Sequence, residues 1–429
     1  MSTTGTLRRR ATVASSVVVA LAAGAFVWSA AHASGEAVRT ISLHDGGVWV
    51  SDSSRTLVGR LNTAAGQLDA GVGLGEVEGA TGAVVDVVQD GPAVLVVAGS
   101  PARVLPIDPG TATLRSSSSI ALPLPSKATG LPYAVPLPVD VRGGTVAVVD
   151  PGTGRVWAER VGTDGAVHSL AAIAPSAPPL AVVGGVAAVA VGDDGSVYAA
   201  SAATGTVVTI GVDATSGRLG AATSAPLGFT SKAVELTVVG NRWVAYDPAT
   251  ALLHAAGLAA PVEVSDDSPS QTGGLAQVAL QQPGADSPYV LVETPAELKV
   301  VPLGDGSQSG TVVALADSAR TDAQGAPSSV ILSRPVHVDA CLHGAWAVAA
   351  KVWFGRSCVG TASGPAATTT QAVELGSLAR GSHFGGVRLR VDRGIVVLDD
   401  LDSGTLWDVD ADPVRIDDWA SASPQVQGS

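Results

Sequence analysis

Gly143-Gly144-Thr145-Val146-Ala147-Val148-Val149-Asp150-Pro151-Gly152-Thr153-Gly154-Arg155-Val156-Trp157 reads as a turn, a strand, a second turn and another strand. Paired glycines supply the positive φ angles of a tight hairpin turn, and the valine run suits a buried strand. Asp150-Pro151-Gly152 supplies a side-chain cap, a preset φ and a flexible bend. Looser copies begin at Gly46, Gly184, Gly240 and Arg393. A unit that is copied along a chain and cannot bury its own apolar face stacks on its neighbours.

From Val38 to Trp419 the chain divides into roughly eight such stretches at a period of about 45–50 residues, each with three or four short apolar runs. No sustained helical period lies between them. Three or four antiparallel strands per unit at this spacing predict an all-β fold, a β-propeller of about eight blades, with seven as the near alternative. Blades are covered on both faces. That accounts for continuous runs such as Ala93-Val94-Leu95-Val96-Val97, where a half-exposed strand would alternate. Trp49, Trp157, Trp243, Trp346 and Trp407 fall in five different units, and the expectation is that they fill space between neighbouring blades. The competing use is a ring of sugar-stacking tryptophans. Asp150, Asp247 and the Asp399–Gly404 stretch are read as structural turn formers.

Composition agrees. Hydrophobic residues make up 46% of the 429 residues, enough for a large core, and 51 glycines with 26 prolines fit many short strands broken by turns. Charged residues are only 15%, which argues against a disordered polar chain. The formal net charge of -13 disfavours a nucleic-acid partner, because such a body repels phosphate backbones.

The N-terminus carries Arg8-Arg9-Arg10 and then an uncharged, largely apolar run from Ala11 to Ala33. About 20 apolar residues span a bilayer, and preceding arginines hold that end in the cytoplasm. Residues 1–35 are therefore expected to be cytoplasmic basic residues plus a single-pass anchor, with the body outside the cytoplasm. Ala31-His32-Ala33 also fits a peptidase site, so the alternative is a signal peptide and secretion after cleavage near Ala33. Residues 36–419 are assigned to the propeller and 420–429 to a linker or tail.

The two cysteines, Cys341 and Cys358, are expected to form a disulfide across a hairpin, as an even cysteine count in an exported chain suggests. Free thiols and a metal site are the less favoured uses. No H-E-x-x-H, G-x-S-x-G or Walker motif is present, and the histidines are scattered. Gly71-Val72-Gly73-Leu74-Gly75 has no helix after it to receive a phosphate and is read as a connection between blades. The aspartates at 400–402 and 408–412 are the best oxygen-ligand clusters, but neither completes a calcium loop. No catalytic residue, metal ligand or cofactor is assigned.

The chain also resembles the N-terminal region of large actinobacterial membrane-anchored surface proteins. The resemblance runs from Arg8 to Trp419. It is carried by Ile41-Ser42-Leu43-His44-Asp45-Gly46-Gly47-Val48-Trp49-Val50-Ser51, Leu57-Val58-Gly59-Arg60-Leu61-Asn62 and Arg334-Pro335-Val336-His337-Val338-Asp339-Ala340-Cys341-Leu342-His343-Gly344-Ala345-Trp346, and is most specific from Asp45 to Asn62 and from Cys341 to Trp346. Members of that group continue into fibronectin type III or Ig-like repeats, whereas this chain stops at Ser429, leaving open whether a downstream array is missing. The resemblance implies a tethered extracytoplasmic head that binds or scaffolds an envelope protein or cell-wall polymer. It brings no catalytic residues. A carbohydrate-active enzyme and a calcium-dependent adhesion module are the alternative functions.

Overall fold

The computed structural model describes residues 47–123, 137–264, 277–304, 309–321, 328–358, 369–378 and 386–422. The expected N-terminal membrane segment lies outside these residues. Among the described residues no helix is long and apolar enough to cross a membrane.

The body is all-β. Its strands form eight separate sheets, an eight-bladed propeller, antiparallel except where Thr370–Gln371 joins the sixth sheet parallel to Gly310–Ala314, with helix limited among the described residues to three- and four-residue turns. The quoted stretch lies in blade 3. Val139–Arg142, Thr145–Val149, Arg155–Arg160 and Ala181–Val182 pair in succession, with Val146 opposite Val141 and Val148 opposite Trp157. Gly143 and Gly144 link the first two strands with φ of 55° and 69°, the double left-handed turn that a two-residue hairpin needs.

The continuous valine runs are buried at every position, as in Ala93–Ala98 and Thr145–Val149. Each packs against the next sheet, and the apolar clusters bridge neighbouring blades. Trp157 sits in the cluster between blades 2 and 3, and Trp346 in that between blades 6 and 7. Trp49 and Trp407 join blades 1–2 and 7–8. These four are at most 2% exposed, whereas Trp243, between blades 4 and 5, is only half-buried. The tryptophans are packing, not a stacking ring for sugars.

The expected turn aspartates cap the hairpin between the second and third strands of their blades. Asp150 Oδ1 accepts from the backbone N–H of Gly152 at 2.9 Å, and its Oδ2 accepts from the Thr153 hydroxyl at 2.6 Å. Asp247 receives the Ala249 N–H and the Thr250 hydroxyl, and Asp52 receives the Arg55 N–H and the Ser54 hydroxyl. In blade 8 the capping residue is Asp400, which accepts from the Asp402 N–H at 3.2 Å. Its neighbour Asp399 points to other work.

The ring closes where the C-terminal stretch lies on blade 1. Gly59 and Gly71 face each other in register there. A side chain on Gly59 would meet the Trp419 ring at 2.9 Å, and one on Gly71 would meet the Ala422 carbonyl oxygen at 1.8 Å. Trp419 is buried and donates its indole N–H to the Gly404 carbonyl, while the Ser421 hydroxyl donates to the Leu68 carbonyl. Gly71 and Gly73 therefore belong to the outer strand Gln67–Gly73 and not to an interblade connection. Ser421 and Ala422 pack with the propeller, although the sequence places them in a linker.

This contact gives a direct test. Gly71→Ala should lower stability by about 1–3 kcal/mol, the usual cost of overpacking. Gly75→Ala, where an added methyl meets nothing within 4 Å, should leave it unchanged. Urea midpoints of the two variants decide the point, and equal midpoints would remove the closure role of the C-terminal stretch.

Candidate functional site

The first strands of blades 8, 2, 3, 4, 5 and 6 pack beside one another in that order around the axis. Most of these strands are apolar, but two alternate charge with valine or leucine: Val139-Asp140-Val141-Arg142 in blade 3 and Val387-Arg388-Leu389-Arg390-Val391-Asp392 in blade 8. Alternation puts Arg388 and Arg390 on one face and Asp140 and Arg142 on one face. Blade 2 adds Asp86 at the start of Asp86–Asp90, and blade 7 adds Arg334 between Val330–Leu332 and Val336–Val338. These side chains line a central cavity of about 120 Å³.

Arg390 is the hub. Its guanidinium lies 2.6 Å from Asp86 Oδ1 in blade 2 and 3.0 Å from Asp399 Oδ2 in its own blade, and it also donates to the Val87 carbonyl. Asp399 Oδ2 in turn accepts the backbone N–H and the hydroxyl of Ser51 in blade 1, both at 3.1 Å. Gln89 of blade 2 bonds the same strand edge of blade 1 further along, accepting from the Trp49 N–H at 2.8 Å and donating to the Gly47 carbonyl at 3.0 Å. Blades 8, 1 and 2 are thus joined by side chains at the axis.

The other buried acids make the same kind of joint. Asp140 accepts from the Val191 N–H of blade 4, and Glu235 of blade 5 accepts from the Leu280 N–H of blade 6. Glu293 of blade 6 accepts from the Ser333 and Ala345 N–H groups of blade 7. Burial sets their protonation. It would raise Asp86, but Arg390 and Arg388 outweigh it and hold that carboxyl below the usual carboxylate range. Burial raises Asp140, lifts Asp399 to about 6 against the pull of Arg390, and lifts Glu235 to about 8 against Arg334. Burial raises Glu293 well above the usual carboxyl range, against the pull of the Ala345 and Ser333 N–H groups.

Arg334 is differently placed. It donates to the carbonyls of Leu280 at 3.3 Å, Gln281 at 2.9 Å and Leu236 at 3.3 Å, and it forms no ion pair among the described residues. Arg388 approaches Asp86 at 3.5 Å. Arg142 pairs with Asp193 at 2.9 Å, while its Nε is buried without a hydrogen-bond partner. Four guanidinium groups and two carboxylates, Asp86 and Asp140, line the cavity.

The remaining sequence candidates resolve as follows. Cys341 and Cys358 are register partners on the hairpin Cys341–Val348 and Lys351–Cys358, with Cα atoms 4.0 Å apart, and they are joined as a disulfide. Closing a loop of this size contributes roughly 3 kcal/mol by restricting the unfolded chain. His337 and His343 lie in adjacent strands of blade 7, and burial pushes His343 down to about 4. Asp408 and Asp410 accept backbone N–H groups, from Asp410 and Val396 respectively. The arginine cluster is the feature that the sequence reading missed. Its signal was present in the charged alternation of two strands that are otherwise valine and leucine.

No protein-family model and no curated protein matches the chain. Several solved structures are similar to the chain at a low level. Apo AztD from Citrobacter koseri is 13% identical, with 86% of this chain and 97% of that chain covered and a TM-score of 0.40. A protein from Lactobacillus plantarum is 12% identical, with coverage of 80% and 97% and a TM-score of 0.42. A putative 6-phosphogluconolactonase from Bacteroides fragilis is 13% identical, with coverage of 78% and 95% and a TM-score of 0.33. Likeness at this level carries no argument about the activity of this chain.

The raised pKa of Glu235 has a testable sign. An acid raised in the folded state stabilises the fold at low pH, and that contribution is lost as pH rises through the folded pKa. For Glu235 the window runs from 4.5 to about 8. Glu235→Gln keeps an acceptor for the Leu280 N–H and should match the parent near pH 5. By pH 8.5 it should exceed the parent, by roughly 3–5 kcal/mol at full effect. Urea midpoints at both pH values measure this, and a parent-to-variant difference independent of pH would show that the carboxyl is not held protonated.

Proposed function

We propose that this chain is a non-enzymatic extracytoplasmic propeller that binds or scaffolds an envelope protein or a cell-wall polymer, tethered through its N-terminal segment. The observation that carries this reading is the employment of the buried acids. Asp140, Glu235, Glu293 and Asp399 each accept a backbone N–H from the next blade, and Asp86 is held ionised by two arginines. Carboxyl groups committed in this way are poorly placed to exchange protons with a substrate. The cavity beside them is well below the roughly 300–1,000 Å³ of typical small-molecule sites. A rigid ring with varied loops at its rim suits binding. The disulfide between Cys341 and Cys358 supports an oxidising compartment, and the Arg8–Arg10 cluster before an apolar run supports the tether.

The test is retention of the purified full chain on isolated cell envelopes. Saturable retention without release of soluble sugar supports the proposal. Release of sugar that Asp86→Asn or Asp140→Asn abolishes would contradict it and establish a hydrolase. Retention no greater than that of a heat-denatured control would remove the binding role.

A further inference from the structure

We propose that the axial cavity is a binding site for a small oxyanion of the phosphate class, held by Arg388, Arg334 and Arg142. This goes beyond the envelope-binding reading and does not depend on it. The first ground is charge. Four arginines line the cavity against two carboxylates, in a chain whose formal net charge is -13. Asp86 is already shared between Arg390 and Arg388, and Asp140 is occupied by the N–H groups of Val141 and Val191. Asp140 also acts on both Arg142 and Arg334, so each carboxylate of the cavity wall is shared between two guanidinium groups.

The second ground is unfilled donor capacity. Arg334 spends its hydrogen bonds on carbonyl oxygens, and Glu235 and Asp140 act on it only through space. Arg388 meets Asp86 only at 3.5 Å, and the buried Nε of Arg142 has no acceptor. Around Arg334, burial disfavours the charge, Glu235 and Asp140 act as opposite charges, and Arg388 and Arg142 act as like charges. Like charges held together away from bulk water are costly unless an opposite charge joins them, and a guanidinium fork matches the oxygens of phosphate or carboxylate. The third ground is size. About 120 Å³ admits a small anion with a few waters and not an extended ligand.

The site differs from Arg390, whose guanidinium already meets Asp86, Asp399 and the Val87 carbonyl. Arg388 and Arg142 are therefore the residues to change. Arg388 makes one long ion pair, and Arg142 pairs with a partly exposed aspartate, so both substitutions should be tolerated by the fold.

The experiment is equilibrium dialysis of the full chain with labelled inorganic phosphate at low chloride. Saturable binding at one phosphate per chain is expected. Arg388→Gln and Arg142→Gln should each weaken it at least tenfold, and Arg415→Gln, at an exposed pair on the outer strand of blade 8, should leave it unchanged. Circular dichroism melts confirm that each variant is folded, and should either axial variant not fold, the other carries the test. Competition by glycerol phosphate distinguishes an esterified phosphate, which would displace the label, from a free anion, which alone would bind. Either result sustains the site. Absence of saturable binding up to about 10 mM phosphate, or equal affinity in both axial variants and the parent, would overturn it.

Discussion

A propeller stands or falls on the joint between its last blade and its first, and here that joint is made around one guanidinium. Arg390 leaves blade 8 and meets Asp86 in blade 2, while its other edge holds Asp399, which binds Ser51 of blade 1 across 348 residues of sequence. Three blades converge on one cation. Taking these charges out of water costs several kcal/mol per ion. The arrangement is tolerable because both flanks of the guanidinium find oxygen acceptors and each carboxylate finds further donors.

The same device recurs around the axis in weaker form. A buried acid on one blade accepts a backbone N–H from the next, at blades 3 to 4, 5 to 6 and 6 to 7. Apolar clusters supply most of the adhesion between blades, but they are non-directional and do not set how far one sheet slides on another. The acid-to-amide bonds do set it. Their cost appears as raised pKa values at Glu235, Glu293 and Asp399. The outer closure, with Trp419 seated on Gly59 and Ala422 on Gly71, fixes the rim as the charges fix the axis.

The blades were legible in the sequence because they are local. A run such as Thr145–Val149 with its two turns is decided by residues within hailing distance, and so were the capping role of Asp150 and the pairing of Cys341 with Cys358. Contacts between distant blades were not legible. Nothing near Gly71 announces that Ala422 lies against it, so a strand glycine looked like a loop glycine. Asp399 looked like its neighbour Asp400, yet one faces the axis and the other caps a turn. Asp86 and Arg390 are more than 300 residues apart, and only ring closure brings their charges together. Function was least legible because the arginines of the axis sit in strands whose remaining residues are ordinary blade material.

The most direct measurement is a double-mutant cycle on the axial joint, using Arg390→Gln, Asp86→Asn and the pair together, read by urea unfolding. Removing Arg390 alone should cost about 3–5 kcal/mol, since it leaves buried carboxylates uncompensated. The double variant should then be more stable than the sum of the single losses by at least about 1 kcal/mol. Strictly additive losses would contradict the claim that this ion pair, and not apolar packing alone, closes the ring.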